Sequence, residues 1–234
     1  MQDSTSWANP FYYGGLMALA QQKGLKTIAW CQGIGPLNRS LTRFITRQVL
    51  QHCTAISVRD QASAQLLKNW QISPLIAPDA VWTLDSEPVP QLKALPTPRI
   101  AVNLRSHRHL TPSRLNNLIQ SLQAFQNATQ AYILLVPFQP LQDLALAESV
   151  AAQLPGNYQI LTLENPRQLK GLFQDVEMTI GMRLHSLIMA AAEQSRCFAL
   201  SYDPKVSRLM AEIKIPGYEL TEIPDNPQEI AAAW

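Results

Sequence analysis

Apolar residues in this chain fall into short blocks separated by amphipathic stretches. Residues 26–31 (KTIAWC) form one such block, followed at once by Gly33 and Gly35. An apolar run of that length with a glycine-rich exit reads as a buried strand and a tight loop. The pattern then predicts a helix over about 41–52, a strand at 55–58, a helix over about 61–70 and a strand at 75–77. Such alternation implies parallel strands buried on both faces and crossed by helices. It stops in residues 85–98, where four prolines and little periodicity suit an extended linker.

A second series follows. Strands are expected at 100–104, 131–136, 158–163, 177–180 and 197–201, and helices at 112–127, 141–154, 166–175, 184–193 and 204–213. Three of the helices open on Thr111-Pro112, Asn165-Pro166 and Asp203-Pro204, an N-cap followed by proline at the first helical position. The expected organisation is α/β: two Rossmann-like domains, the first over 1–84 and the second over 99–234, joined by a linker at 85–98. The first clear element is a helix near 11–22, whereas a doubly wound domain normally opens on a strand. The last residues, Ala-Ala-Ala-Trp234, read as a helix cut short. The first domain is therefore expected to lack its N-terminal part.

Composition narrows the function classes. With 47% hydrophobic and 15% charged residues, the chain can build a packed core. A net charge of +2 without a basic run argues against a nucleic-acid partner. The one local concentration of basic residues is Arg105, His107, Arg108 and His109. No apolar stretch reaches the roughly 18–20 residues of a membrane span, and the first residues lack the basic and apolar regions of a signal peptide. Cys31, Cys53 and Cys197 are widely spaced and fit no metal pattern; a cytoplasmic location is expected, with peripheral membrane attachment left open.

Candidate chemistry lies where the strands end, because open α/β sheets bind ligands outside their carboxyl edges. Gly181-Met182-Arg183-Leu184-His185-Ser186 follows one strand. Arg183 and His185 diverge on a helix but share a side in an extended turn, which is the expectation here. Arginine offers a two-pronged donor for a carboxylate or phosphate, and histidine exchanges a proton near neutrality. An arginine closing a salt bridge and a histidine at a helix start explain the same letters. Lys205, in Ser201-Tyr202-Asp203-Pro204-Lys205, sits where the helix dipole opposes a cation, a conflict that a bound anion relieves; Asp203 reads first as an N-cap. Arg59, in Ser57-Val58-Arg59-Asp60, ends another strand and is expected to face the crevice between the domains, or else to pair with Asp60. Gly33 and Gly35 fail the dinucleotide pattern, since Asn38 stands where the third glycine belongs, and are expected to form a tight loop near a ligand. Asp79 reads as a turn residue that could also contact a ligand. Arg105 ends the first strand of the second domain. His107 and His109, with no carboxylate nearby in sequence, are weak evidence for metal.

Taken together, QDSTSW at 2–7, QGIGPL at 32–37, SVRD at 57–60, APD at 77–79, GMRLHS at 181–186 and SYDPKVSRLM at 201–210 resemble the polysaccharide pyruvyl transferase family, of the CsaB type. The resemblance runs in order along almost the whole chain, and GMRLHS followed by SYDPK is its most specific part. It implies a GT-B-like architecture with the site between two Rossmann-like domains. It further implies transfer of a pyruvyl group from phosphoenolpyruvate to a sugar of a cell-surface polysaccharide, free or lipid-linked, as a ketal. By motif, His185 is then the catalytic acid and base, and Arg59, Arg183 and Lys205 hold the donor. Gly33, Gly35, Asp79 and Arg105 would supply acceptor or loop contacts, with no metal or other cofactor. A nucleotide-sugar glycosyltransferase on the same architecture, or a fragment that only binds ligand, is the competing reading.

Overall fold

The alternation in the sequence becomes two parallel sheets. The structure, a computed structural model, describes residues 1–3 and 7–234; residues 4–6 of the QDSTSW segment lie outside the described residues. The chain divides into two compact units, Met1–Trp82 and Thr83–Trp234.

The first unit runs α1 (Ala8–Gln22), β1 (Ile28–Gln32), α2 (Ser40–Gln51), β2 (Ala55–Val58), α3 (Gln61–Asn69) and β3 (Leu75–Ile76). Its strands pair in parallel in the order β1-β2-β3. Two right-handed crossovers that step the same way put α2 and α3 on one face of the sheet. That face holds the core, with Ile34, Leu50, Val58 and Leu67 fully buried. The opposite face explains a departure from expectation. β1 alternates instead of being buried on both sides, and Ile28 and Trp30 stand 59% and 68% exposed.

The second unit contains β4 (Arg99–Asn103), α4 (Pro112–Thr129), β5 (Tyr132–Leu135), α5 (Pro140–Ala151), β6 (Tyr158–Ile160), α6 (Pro166–Gly171), β7 (Met178–Gly181), α7 (Leu184–Ala192), β8 (Arg196–Ser201), α8 (Pro204–Ile213), β9 (Gly217–Glu219) and α9 (Pro227–Ala232). All pairings are parallel, in the order β6-β5-β4-β7-β8-β9. The chain builds outward from β4 through β5 to β6, returns to place β7 on the other side of β4, and builds outward again. This is a doubly wound sheet whose order reverses between β4 and β7. The central strands are buried on both faces, through residues such as Val102, Leu134, Ile180 and Leu200, as their continuous apolar runs require.

The helix starts follow their caps. Thr111, Asn165 and Asp203 accept hydrogen bonds from the backbone N–H groups of Arg114, Arg167 and Lys205. Asn226 and Pro227 repeat the same signal at α9. α9 closes at Ala232 instead of running on through the last residues, and Trp234 packs edge-on against Phe125 and Phe198. Helix 166–175 is shorter than expected, passing at Leu172 into a 3-10 turn.

The proline-rich stretch 85–98, expected to be an extended linker, is folded onto the second unit. It carries a 3-10 turn at Pro90–Ala94 and buries Val89 and Leu92. The Glu87 N–H donates to the Arg167 carbonyl (3.0 Å), and a side chain at Gly171 would collide with the Glu87 backbone. Lys170, with a side chain only 5% exposed, donates to the Leu84 carbonyl (2.6 Å) and pairs with Glu193 (3.5 Å).

Candidate functional site

Strand order reverses between β4 and β7, and sheets of this kind bind ligands outside the carboxyl ends of the strands at such a point. Asn103, buried at the end of β4, spans this point: its Nδ2 donates to the Val136 carbonyl (2.9 Å) and its Oδ1 accepts the Arg183 N–H (3.1 Å). β7 ends on Gly181, where a Cβ would lie 2.8 Å from Ser186 Oγ and 2.9 Å from Leu187 Cδ2. Glycine therefore lets α7 start hard against its strand. Arg183 is the extended N-cap residue of α7, and its carbonyl accepts from the Ser186 N–H and hydroxyl. His185 falls in the first helical turn, with its side chain exposed. The expected extended turn through both residues is thus absent: the helix already begins at Leu184, which separates the directions of the two side chains.

The Arg183 guanidinium is gripped from below. Nε and Nη2 donate to the two Asp143 oxygens at 2.7 and 2.6 Å, and Nη2 reaches Gln142 Oε1 at 3.3 Å. Asp143 is wholly buried in the first turn of α5 and also accepts the Gln139 N–H (2.9 Å). Two parallel charge-assisted bonds fix the guanidinium plane. They also neutralise it, which leaves Nη1 as the nitrogen not engaged in this grip.

Past β4 the chain forms a basic loop. Arg105 Nη1 donates to the Tyr202 hydroxyl (2.9 Å), and the guanidinium carbon lies 4.9 Å from the centre of the same ring. Arg105 makes no ion pair among the described residues, and its buried Nε has no hydrogen-bond partner. The His107 ring lies 4.8 Å from both the His109 and Tyr202 rings. His107 Nδ1 accepts the His109 N–H (3.3 Å), while His109 Nε2 accepts from Arg108 Nε (3.2 Å). Accepting at Nδ1 requires the neutral form of the His107 ring. Burial, then the neighbouring His109, Arg105 and Arg108, hold the His107 pKa below its ordinary value, with Asp203 pulling the other way.

Asp203 caps α8, as its sequence suggests, and its other oxygen lies 3.8 Å from Lys205 Nζ. That carboxylate relieves the conflict between Lys205 and the helix dipole. Asp203, Tyr202 and Ser201 also line an open cavity of about 440 Å³, together with His109, Pro204, Ser207, Arg208, Glu219 and Thr221.

In the first unit, three of the expected positions come together at the carboxyl edge of the sheet. Arg59 follows β2 and forms an ion pair with Asp79, just beyond β3. Its guanidinium lies over Gly33, where a Cβ would come within 3.0 Å of Nε and Nη2. Asp60, the alternative partner, instead accepts the Ser63 N–H as the cap of α3. Asp79 also holds its own turn through the Val81 N–H (3.1 Å). Gly35, at φ +85, occupies a backbone region that suits glycine.

Sequence reading passed over Asn103, Asp143 and Tyr202 as functional residues. Asp143 gave no signal beyond an acidic residue in a first helical turn, because its partner lies forty positions away in sequence. The Arg105–His109 segment did carry one, its local density of basic residues.

The fold and this edge of the sheet define an α/β protein of GT-B type. The sequence profile of the family described as polysaccharide pyruvyl transferase matches residues 1–204, and the chain belongs to that family. Among solved structures it is similar to the UDP-GlcNAc 2-epimerase of Methanocaldococcus jannaschii (TM-score 0.63, 12% identity, covering 93% of this chain and 64% of that one). The same enzyme in complex with UDP-GlcNAc and UDP gives TM-score 0.63 at 10% identity, covering 93% and 63%. The α,α-trehalose 6-phosphate synthase of Burkholderia multivorans gives 0.54 at 11%, covering 96% and 60%. The chain thus spans less than two thirds of the length of these structures, and at such identities the likeness concerns the fold alone. No curated protein matches the sequence.

Proposed function

We propose that the protein transfers a pyruvyl group from phosphoenolpyruvate to a sugar of a cell-surface polysaccharide, forming a ketal and releasing phosphate. The observation that carries this reading is the position of the GMRLHS segment at the reversal of strand order, beside the cation-rich loop that follows β4. Phosphoenolpyruvate is a small molecule with a carboxylate and a phosphate, so it calls for several fixed cations. Lys205 and Nη1 of Arg183 supply two of them. Arg105 adds a third, and among the described residues no carboxylate pairs with it. Arg59 is proposed as a further donor-binding cation on the strength of its motif and its anchoring by Asp79.

His185 is proposed as the general acid. Protonation of C3 turns the enol carbon C2 electrophilic, and one sugar hydroxyl adds there while its proton returns to the imidazole. The C2–O bond to phosphate then breaks, a second hydroxyl adds to C2, and its proton leaves with the phosphate. Such a positioned acid contributes about 10²–10⁴-fold, and fixed cations stabilise charge on the departing phosphate. No step uses a metal or a further cofactor. The acceptor is a carbohydrate, free or carried on a lipid. No helix among the described residues is long and apolar enough to cross a membrane, and the three free thiols suit a reducing cytoplasm.

The test is phosphate release from phosphoenolpyruvate in the presence of an acceptor panel. His185→Ala is expected to lower turnover by about 10²-fold or more while calorimetric binding of phosphoenolpyruvate persists. Consumption of a nucleotide sugar, with phosphoenolpyruvate untouched, would replace this reading with glycosyl transfer.

A further inference from the structure

The cavity beyond β8 takes no part in the donor chemistry proposed above, and its lining has a different character. The β4–α4 loop is cationic, but the cavity sets Arg208 against Asp203 and Glu219 and adds the His109 ring and the hydroxyls of Ser201, Ser207 and Thr221. The polar groups form a chain. The Ser201 and Ser207 hydroxyls lie 2.7 Å apart, and Ser207 donates to Glu219 Oε1, leaving the second oxygen of Glu219 outside that bond. Carboxylates and hydroxyls held on rigid strand and helix ends accept many O–H groups at close spacing. A small anion would gain little from a lining with two carboxylates. No group of three potential metal ligands occurs among the described residues. The volume, about 440 Å³, suits a ligand of one or two sugar rings. The cavity also shares Tyr202 and His109 with the cationic loop, so a ring seated in it lies next to the proposed donor.

We propose that this cavity is a carbohydrate subsite that holds the acceptor, with the Glu219 carboxylate accepting from ring hydroxyls. Its role as the acceptor's site rests on the pyruvyl-transfer reading; its binding of a sugar does not. Thr221 marks the rim, and its backbone carbonyl accepts from Arg114 Nη2 (3.1 Å). A bulky side chain there would close the cavity without disturbing the sheet.

The experiment uses the full chain and methyl pyranosides of gluco, galacto and manno configuration as probes. Saturation-transfer NMR is expected to show binding of at least one probe, lost in Thr221→Trp and weakened about tenfold or more in Glu219→Gln, which removes a charge-assisted hydrogen bond. Phosphoenolpyruvate binding should be unchanged in both variants. Absence of binding by every probe, or binding undiminished in Thr221→Trp, overturns the subsite. Where turnover is measured, the KM for acceptor should rise in Thr221→Trp while the KM for phosphoenolpyruvate holds; a rise in the donor KM alone assigns the cavity to the donor and overturns the proposal. Failure of phosphoenolpyruvate to react with any acceptor, with probe binding intact and lost in Thr221→Trp, counts against the donor chemistry and not against the subsite.

Discussion

Asp143→Ala isolates the strongest polar contact in the second unit. The carboxylate is fully buried and the Arg183 side chain is 15% exposed, joined by bonds of 2.6 and 2.7 Å. Removing one member of a buried pair strands the other, at a cost of about 3–5 kcal/mol. Arg183 retains some access to water, so the lower end applies, about 3 kcal/mol. Arg183→Met strands a carboxylate with no exposure, which places it near the upper end, about 5 kcal/mol. The double variant leaves no stranded charge and should cost less than Arg183→Met alone, giving a coupling of about 3 kcal/mol or more. Amide hydrogen exchange at β4 and β7 reads this unit directly, and a loss of about 3 kcal/mol lowers protection roughly a hundredfold. Additive losses in the double variant would refute the argument, because they would mean that the two charges stabilise the fold independently.

Three further outcomes follow from local geometry. A side chain at Gly217 would run into the Ala199 backbone on β8, so Gly217→Ala should cost at least the about 1–3 kcal/mol of overpacking and expose the Leu220 amide, now bonded to the Ser201 carbonyl (2.7 Å); unchanged protection there would disprove it. Burial pushes the Cys197 thiol up to about 11, which leaves on the order of one thiolate per thousand at pH 8. Alkylation of the folded protein at pH 8, followed by mass spectrometry, should therefore leave Cys197 unmodified, and rapid labelling would contradict the assignment. His107 should titrate below 6.5 in an NMR pH series, because burial and then His109, Arg105 and Arg108 disfavour its proton, partly offset by Asp203. The unfolded chain then holds more protons in the window just below pH 6.5, so this residue's contribution is present above that pH and is lost as pH falls; a midpoint at or above 6.5 would reverse the sign.

Much of the fold could be read from local signals, because apolar runs and N-caps act over a few residues. Asp203-Pro204 marked α8 correctly and β2 fell on its expected residues. The same cap signal at Asn226-Pro227 was present but unread, and β9 was missed because three residues around a glycine carry almost no pattern. The exposure of Ile28 and Trp30 could not be inferred either: a five-residue apolar run looks the same whether helices cover one face of a sheet or two. Within the candidate site, spacing identified which residues matter but not their partners. Arg183 with Asp143, Arg59 with Asp79 and Arg105 with Tyr202 are contacts made by the winding of the chain, and only folding brings those letters together.

The packing of residues 85–98 has a practical corollary for anyone wishing to express the second half by itself. The natural place to cut is next to Trp82–Thr83 and not at the first strand that follows the prolines. A shorter piece starting at residue 99 would strip Val89 and Leu92 from their seats, leave a greasy notch, and rob the Lys170 ammonium of the carbonyl that caps it. What looks on paper like a disposable tether is part of the wall.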